Sequence, residues 1–472
     1  MKSSLFLLGL IPMLTCGCSK ADNPTPPPDD GEAKEAYVAY FTKSLGGDKT
    51  PYPTGAVLTA DQVAEEQTAV WDSWKAANAS LSEEKLATPT SMPAYTANPP
   101  AESGTWSLAD ANSAYSGKMP YYYFSKGSKP AAGYPLFIFL HGSGNDPVNE
   151  QYACFGWSTY FQDSPCLYFI PQSPKGGTGT RWKLKSRQAA WEKLLRLSFL
   201  SDADPNRVYF MGISEGAYGS QSLASFYADY LAGAGPMAGG ENLKFAPPEN
   251  YANIAFTLHT GDQDVAYSRD ELTMAVNDEL NELATTHPGY YNHNVALIPG
   301  AAHGFYYNEA QTTEWLKAQA ARNPWPKYVY WENFPMDESY ESATRYRDGF
   351  YNLYVKERSN DDASSRSCYE MTIDGNTVDL AVSTVTYAPD VVGSYGIPLT
   401  YTKTYTPATK GKVVIYLNDK LVDLDEPVTV RVNGREAFKG KVELNAAHLV
   451  NSCAAFFDPE RLFPAAVEVQ VQ

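Results

Sequence analysis

Between residues 207 and 230 the chain reads as strand, tight turn and helix. That order constrains the fold more than any other stretch. Val208–Met211 is a short apolar run suited to a buried strand, and Gly212-Ile-Ser-Glu-Gly216 follows it directly. A helix is expected from Glu215 to about Tyr230. A G-x-S-x-G turn between strand and helix must be sharp and strained to lift the Ser214 hydroxyl above the sheet, so it needs small flanking residues. The helix that starts there aims its N-terminal dipole and N–H groups at the serine. A bare G-x-S-x-G also arises by chance; the strand before and the helix after single this one out.

The surrounding segments repeat the alternation. Tyr121–Phe124 and Tyr134–Leu140 are expected strands, and the second runs into His141-Gly-Ser-Gly144. Leu167–Pro171 is the next strand, and Gln188–Leu200 carries a leucine array at helical spacing. Ile254–His259 is a strand ending near Gly261-Asp-Gln-Asp264, followed by a helix over Ser268–Ala284. Asn294–Ile298 closes with Gly300-Ala-Ala-His-Gly304, and a helix is expected over Glu309–Arg322. Strands alternating with helices imply an α/β fold, a mostly parallel sheet with helices on both faces. Lys175–Arg187, with Gly176, Gly177, Gly179, Arg181 and Trp182, reads as a flexible loop that either borders a cleft or simply covers the surface. Gly233–Gly240 reads as a Gly-rich loop with no nucleotide-binding pattern.

A serine hydroxyl is a weak nucleophile at neutral pH and needs an imidazole to take its proton; the imidazole needs a carboxylate to hold its tautomer. The chain has six histidines. His141 belongs to the Gly-rich loop, His259 lies within a strand, His287 precedes a proline, His293 starts a strand and His448 is far downstream. His303 stands after the last strand among small residues and is the candidate base. The carboxylate is Asp264 or Asp262, with Asp264 favoured and Asp262 suited to bonding backbone N–H groups in the turn. Ser143 and Glu215 are the candidate backbone donors for an oxyanion.

Residues from about Tyr121 to Arg322 resemble the bacterial esterase branch of the α/β-hydrolases, near polyhydroxybutyrate-depolymerase-like and feruloyl-esterase-like enzymes and the prolyl-oligopeptidase catalytic domain. The resemblance rests on His141-Gly-Ser-Gly144, Asp204–Gly216, Gly261-Asp-Gln-Asp264 and Gly300-Ala-Ala-His-Gly-Phe305. It implies a Ser214–His303–Asp264 triad, an acyl-enzyme, an oxyanion hole at Ser143 and Glu215, and no metal or organic cofactor. Glu215 departs from the neutral residue more usual there; turned into the cleft, it would disfavour anionic substrates.

Lys2 and the apolar run Leu5–Leu14 lead into Leu14-Thr-Cys-Gly-Cys-Ser19, which resembles the lipobox of bacterial lipoprotein signal peptides. Cys18 fits best as the lipidated residue, Cys16 less well. The expected organisation is a signal peptide over 1–18, a Pro-rich tether over 19–34, an α/β-hydrolase domain with an N-terminal extension over 35–325, and an all-β, sandwich-like domain over 326–472. Within the extension, Asp61–Leu81 is an expected helix. The β assignment rests on short aromatic and β-branched runs after Pro324-Trp-Pro326 and on the hairpin signal Asn433-Gly434. Cys154, Cys166, Cys368 and Cys453 are compatible in order with two disulfides, Cys154–Cys166 and Cys368–Cys453, or with four buried thiols.

A formal charge of −17 argues against nucleic acid and anionic membrane surfaces as partners. The 34 tyrosines and 9 tryptophans suit sugar or aryl recognition as well as ordinary packing. The leading expectation is a lipid-anchored serine esterase of the cell envelope, outer membrane or periplasm, acting on acylated carbohydrate. The alternatives are a serine peptidase of the prolyl-oligopeptidase type and a non-catalytic glycan-binding surface lipoprotein.

Overall fold

A computed structural model describes residues 30–108, 117–144, 146–173, 182–183, 185–304, 310–336, 346–360, 362 and 364–472. The signal and lipidation residues, Cys18 among them, lie outside the described residues, as do Gly176, Gly177, Gly179, Arg181 and Glu309.

Nine strands make the main sheet: β1 (Thr90–Ser91), β2 (Gly104–Ser107), β3 (Lys118–Lys126), β4 (Tyr134–Leu140), β5 (Cys166–Pro171), β6 (Ala203–Ile213), β7 (Gly233–Met237), β8 (Ala255–Gly261) and β9 (His293–Ile298). Their spatial order is β1-β3-β5-β4-β6-β7-β8-β9, with β2 paired to β3. From β5 to β9 every neighbouring pair is parallel, whereas β3 runs antiparallel to both β2 and β5. The helices are α1 (Asp30–Leu45), α2 (Ala60–Ser80), α3 (Pro147–Tyr160), α4 (Lys185–Phe199), α5 (Glu215–Tyr227), α6 (Arg269–Thr286), α7 (Thr312–Ala318) and α8 (Ala446–Phe456).

The period of two in the central strands sorts their side chains onto two cores. Leu136, Ile138, Val208 and Phe210 join Trp191, Leu194, Leu223 and Val276 from α4, α5 and α6 on one face. Phe137, Phe139, Tyr209 and Met211 join Phe155 and Leu316 from α3 and α7 on the other. The sheet is therefore covered on both faces, as the alternation predicts.

Gly233–Met237, expected as a loop, is a central strand. A Cβ at Gly233 would press on Ala255 O, and one at Gly235 on the Thr312 methyl of α7, so close helix and strand packing selects glycine there. The last helix of this region ends at Ala318 rather than Arg322. Helix α3 was not expected, although Asp146 accepts from Val148 N at 3.1 Å and Pro147 opens the first turn, a legible start signal.

The C-terminal strands are β10 (Tyr328–Asn333), β11 (Gly349–Phe350), β12 (Leu353–Glu357), β13 (Arg366–Asp374), β14 (Thr377–Pro389), β15 (Tyr401–Pro407), β16 (Lys412–Leu417), β17 (Val428–Val432), β18 (Arg435–Gly440) and β19 (Ala465–Gln470). They form a six-stranded sheet, β10-β13-β14-β17-β18 with β15 on β14, and a four-stranded sheet, β11-β12-β16-β19. The two sheets share one core, in which Trp331 of β10 stacks on Phe350 of β11 at 5.3 Å. Asn433 (φ 49°) and Gly434 (φ 78°) turn β17 into β18, as a type I′ hairpin requires.

Helix α1 starts at Asp30, inside the stretch expected as tether. The apolar faces of α1 and α2, carrying Phe41, Val70 and Trp74, pack on Leu449, Val450 and Cys453 of α8. The N-terminal helices thus share a core with the C-terminal region, while Arg196 of α4 bonds Glu83 at 2.7 Å. All four described cysteines are buried free thiols, which corrects the expected disulfide order. Cys154 and Cys166 sit in the α3-side core, and Cys368 and Cys453 belong to two different clusters.

Burial pushes the His259 imidazole on β8 down from 6.5 to about 4. Between those values the unfolded chain takes up a proton that the folded chain refuses, so stability falls as pH drops from 6.5 toward 4. The whole loss amounts to about 3 kcal/mol. In urea titrations at pH 7 and pH 4.5, His259→Gln is expected to lose less stability on acidification than the wild type. Equal losses would reject this assignment.

Candidate active site

The chain leaves β6 through Ser214, whose backbone sits at φ 55° and ψ −118°, a costly conformation for a non-glycine residue. The turn closes only because its flanks are glycine. A Cβ at Gly212 would collide with Gly216 O, and one at Gly216 would collide with Leu140 O on β4. Ser214 N donates to Met237 O at 3.0 Å, and Ser214 O accepts from Ala217 N at 2.9 Å. The strain is held by the adjoining strand and by the first turn of α5.

Strands β4, β6, β8 and β9 are parallel, so the loops at their carboxyl ends gather on one edge of the sheet. There the structure brings Ser214, His303 and Asp264 together. Ser214 Oγ lies 3.0 Å from His303 Nε2, and His303 Nδ1 lies 2.6 Å from Asp264 Oδ2. The Asp264 side chain is buried, whereas that of His303 is 41% exposed. An Nδ1–H donating to the carboxylate leaves Nε2 to accept from the serine hydroxyl.

The loop after β4 lies beside the serine. A Cβ built on Gly142 would stand 3.3 Å from Ser214 Cβ. Ser173 N donates to His141 Nε2 at 3.0 Å, so Nδ1 carries the proton and donates to Gly142 O at 2.7 Å. The Trp182 indole N–H donates to His141 O at 3.1 Å. In a trans peptide the C=O and N–H point opposite ways. Drawing Gly142 O toward the imidazole therefore turns the Ser143 N–H away from it. Glu215 opens α5 immediately after Ser214 and is 6% exposed, so its side chain is enclosed rather than spread over the cleft.

A serine on a strained strand-to-helix turn is followed in the chain by an aspartate and a histidine on the loops after β8 and β9. They sit on a covered parallel sheet whose strand β3 runs antiparallel at one side. This is the α/β-hydrolase fold.

No family model matches the sequence. This α/β-hydrolase chain is similar to poly(3-hydroxyalkanoate) depolymerase C of Paucimonas lemoignei, 28% identical over 120 residues, which are 23% of the chain and 28% of the depolymerase. The likeness thus spans under a third of that relative's length. Among solved structures, a thermostable esterase shares 20% identity at a TM-score of 0.37, covering 47% of this chain and 62% of that one. Est1E from Butyrivibrio proteoclasticus shares 16% at 0.32, over 45% and 96%. A truncated carbohydrate esterase from gut microbiota shares 11% at 0.33, over 47% and 98%. The strand order carries the fold by itself.

Asp262 takes the structural part weighed for it: its Oδ1 accepts from Gly300 N at 2.8 Å and ties the β8 loop to the β9 loop. Arg269 is a neighbour that the sequence reading missed. Its Nε donates to Asp264 Oδ1 at 2.8 Å and its Nη2 reaches the same oxygen, so one carboxylate oxygen serves the guanidinium and the other the imidazole. Burial would lower the Arg269 guanidinium, but its bond to Asp264 holds it above its usual value. Trp182, expected on a surface loop, is buried against His141 instead. Among the described residues, no three His, Cys, Asp or Glu side chains are grouped to hold a metal.

Proposed function

We propose that this protein is a serine hydrolase that cleaves the carboxylic esters of acylated carbohydrates from a lipid anchor in the bacterial cell envelope. One observation carries the reading: the unbroken hydrogen-bond line from the strained Ser214 hydroxyl through His303 to buried Asp264. In this mechanism Ser214 Oγ attacks the ester carbonyl while His303 Nε2 takes the hydroxyl proton. The oxyanion accepts from the Ser143 and Glu215 N–H groups. Collapse breaks the bond to the alcohol oxygen, which leaves with the proton held by His303. Water then enters, gives a proton to His303 and attacks the acyl carbon. Ser214 leaves as the alcohol, reprotonated by His303, and the carboxylic acid is released.

The anchor rests on the sequence around Cys18. No helix among the described residues is long and apolar enough to cross a membrane. A fluorophosphonate probe applied to protein lacking residues 1 to 18 is expected to label the wild type and neither Ser214→Ala nor His303→Ala. The labelled enzyme is expected to hydrolyse p-nitrophenyl acetate faster than aminoacyl anilides. Folded wild type that takes no label would overturn the hydrolase reading, and turnover of the anilides alone would make it a peptidase.

A further inference from the structure

The six-stranded C-terminal sheet sends one connection to the edge of the main sheet where Asp264 lies. Residues 390–400, between β14 and β15, fold back on themselves through Gly393 N→Ile397 O at 2.8 Å and a bridge between Val392 and Pro398. This small hairpin is fastened to the start of α6. Ser394 N and Oγ donate to Glu271 Oε2 at 3.0 and 2.9 Å, and Tyr395 N donates to Ser268 Oγ at 3.3 Å. Asn242 Nδ2 donates to Pro398 O at 2.6 Å. The fit is close: a Cβ on Gly393 would come within 2.7 Å of Ser268 Oγ.

What the hairpin grips is itself strained. Tyr267 (φ 59°) and Ser268 (φ 56°) are consecutive left-handed residues without a glycine, directly between Asp264 and Arg269. Such conformations persist only where the surroundings enforce them. Their result is that Tyr267 is turned outward, 62% exposed, with Arg269 stacked on its ring at 5.5 Å. Tyr395, 54% exposed, lies beside it with ring centroids 6.0 Å apart. Val265, Val391 and Val392 are each about half exposed on the same two segments. Of the eleven large apolar or aromatic side chains exposed among the described residues, five thus belong to this one junction. A concentration of that kind marks a surface that meets a ligand. It lies one cation–π contact and three hydrogen-bonded links from Ser214 Oγ, through Arg269, Asp264 and His303.

We propose that Tyr267 and Tyr395 form a subsite that stacks a sugar ring of the substrate, beyond the ester that Ser214 attacks. The C-terminal region thereby supplies one wall of the cleft. A sugar presents an apolar C–H face edged by hydroxyls, and paired tyrosines present apolar faces edged by phenol groups. An aliphatic polyester presents no ring face to stack there. This inference rests on the esterase reading above and names the substrate class of that same site.

The test compares kcat/KM on acetylated xylooligosaccharides with kcat/KM on p-nitrophenyl acetate, for wild type, Tyr395→Ala, Tyr395→Phe and the Tyr267→Ala/Tyr395→Ala double variant. The ratio of the two is expected to fall roughly tenfold in the double variant, through KM on the oligosaccharide, and to be largely restored in Tyr395→Phe. An unchanged ratio would overturn the subsite. So would wild type that takes p-nitrophenyl acetate but not the oligosaccharide, or a loss confined to poly(3-hydroxybutyrate), and in those cases the hydrolase reading would stand. Wild type that turns over no ester would remove the hydrolase reading itself.

Discussion

Ser214→Ala is expected to lower turnover of p-nitrophenyl acetate by about 10⁶-fold, His303→Ala by as much, and Asp264→Asn by roughly 10⁴-fold. The first two figures are equal because in the proposed mechanism hydroxyl and imidazole work as one unit: without either, no proton leaves Oγ during attack. The Ser214→Ala/His303→Ala double variant is therefore expected to be no slower than either single variant. Asp264 costs less because its part is to orient and stabilise an imidazole that already reaches Oγ at 3.0 Å. Stability should move the other way at one position. Ser214 holds φ 55° against its side chain, and glycine adopts that angle freely. Ser214→Gly is thus expected to be inactive yet about 1 kcal/mol more stable than Ser214→Ala in urea titrations. A Ser214→Ala enzyme retaining more than about a hundredth of wild-type turnover would dismiss Ser214 as the nucleophile, because no triad without its nucleophile keeps that much.

How much of this was legible in the sequence depended on whether a residue's reason for being there was local. Ser214, Asp264 and His303, which the structure brings together, could be picked out because each follows an apolar run that had to be a strand and their residue types suit the proposed chemistry. The sorting of Phe137 and Phe139 from Leu136 and Ile138 likewise follows from a period of two. Strand β7 was hidden because Gly-Ala-Gly-Pro-Met carries no strand signal of its own. It is a strand because Tyr209–Ile213 and Ala255–His259 flank it and α7 presses on its glycines. Arg269 was hidden for a related reason: two left-handed non-glycine residues, which nothing local predicts, bend the chain so that it meets Asp264. The packing of α1 and α2 on α8 joins segments some 400 residues apart and leaves no trace in either segment's pattern. The disulfide order failed because chain order says nothing about which core each cysteine enters.

Asp229→Ala is expected to cost about 3–5 kcal/mol, because it leaves the buried Arg347 guanidinium without its carboxylate and Arg461 with Asp458 alone. Asp229 lies in the turn that follows α5, the helix that begins just after Ser214, and its carboxylate is fully buried. Arg461 Nη1 reaches it at 2.6 Å and Arg347 Nη2 at 3.0 Å. Arg347 also donates to Phe226 O at 2.9 Å, a carbonyl in the last turn of α5. Asp458 completes the set, accepting from Arg322 and Arg461 at 2.6 and 2.7 Å. Burial would raise both carboxyls, but the guanidinium groups outweigh it and hold both below the usual carboxylate range. A depressed folded value means that the stabilisation is whole above the unfolded carboxyl pKa of about 4, and is lost as pH falls below it. Wild type should therefore lose this contribution on acidification below about pH 4, and Asp229→Ala should have little of it to lose. Replacing both partners removes a charge on each side, so Asp229→Ala/Arg461→Leu is expected to cost less than the sum of its single variants. Urea midpoints at pH 7 and at pH 3.5 for the four proteins measure both effects. A midpoint for Asp229→Ala equal to that of wild type would mean that water, rather than Asp229, satisfies the two arginines. The consequence reaches the site, since α5 carries Ser214 at one end and is tied at the other to residues that follow β10. The C-terminal region is then coupled to the catalytic edge twice, through this ion cluster and through the hairpin at Tyr395. Loosening Asp229 should accordingly slow ester turnover as well as lower the midpoint.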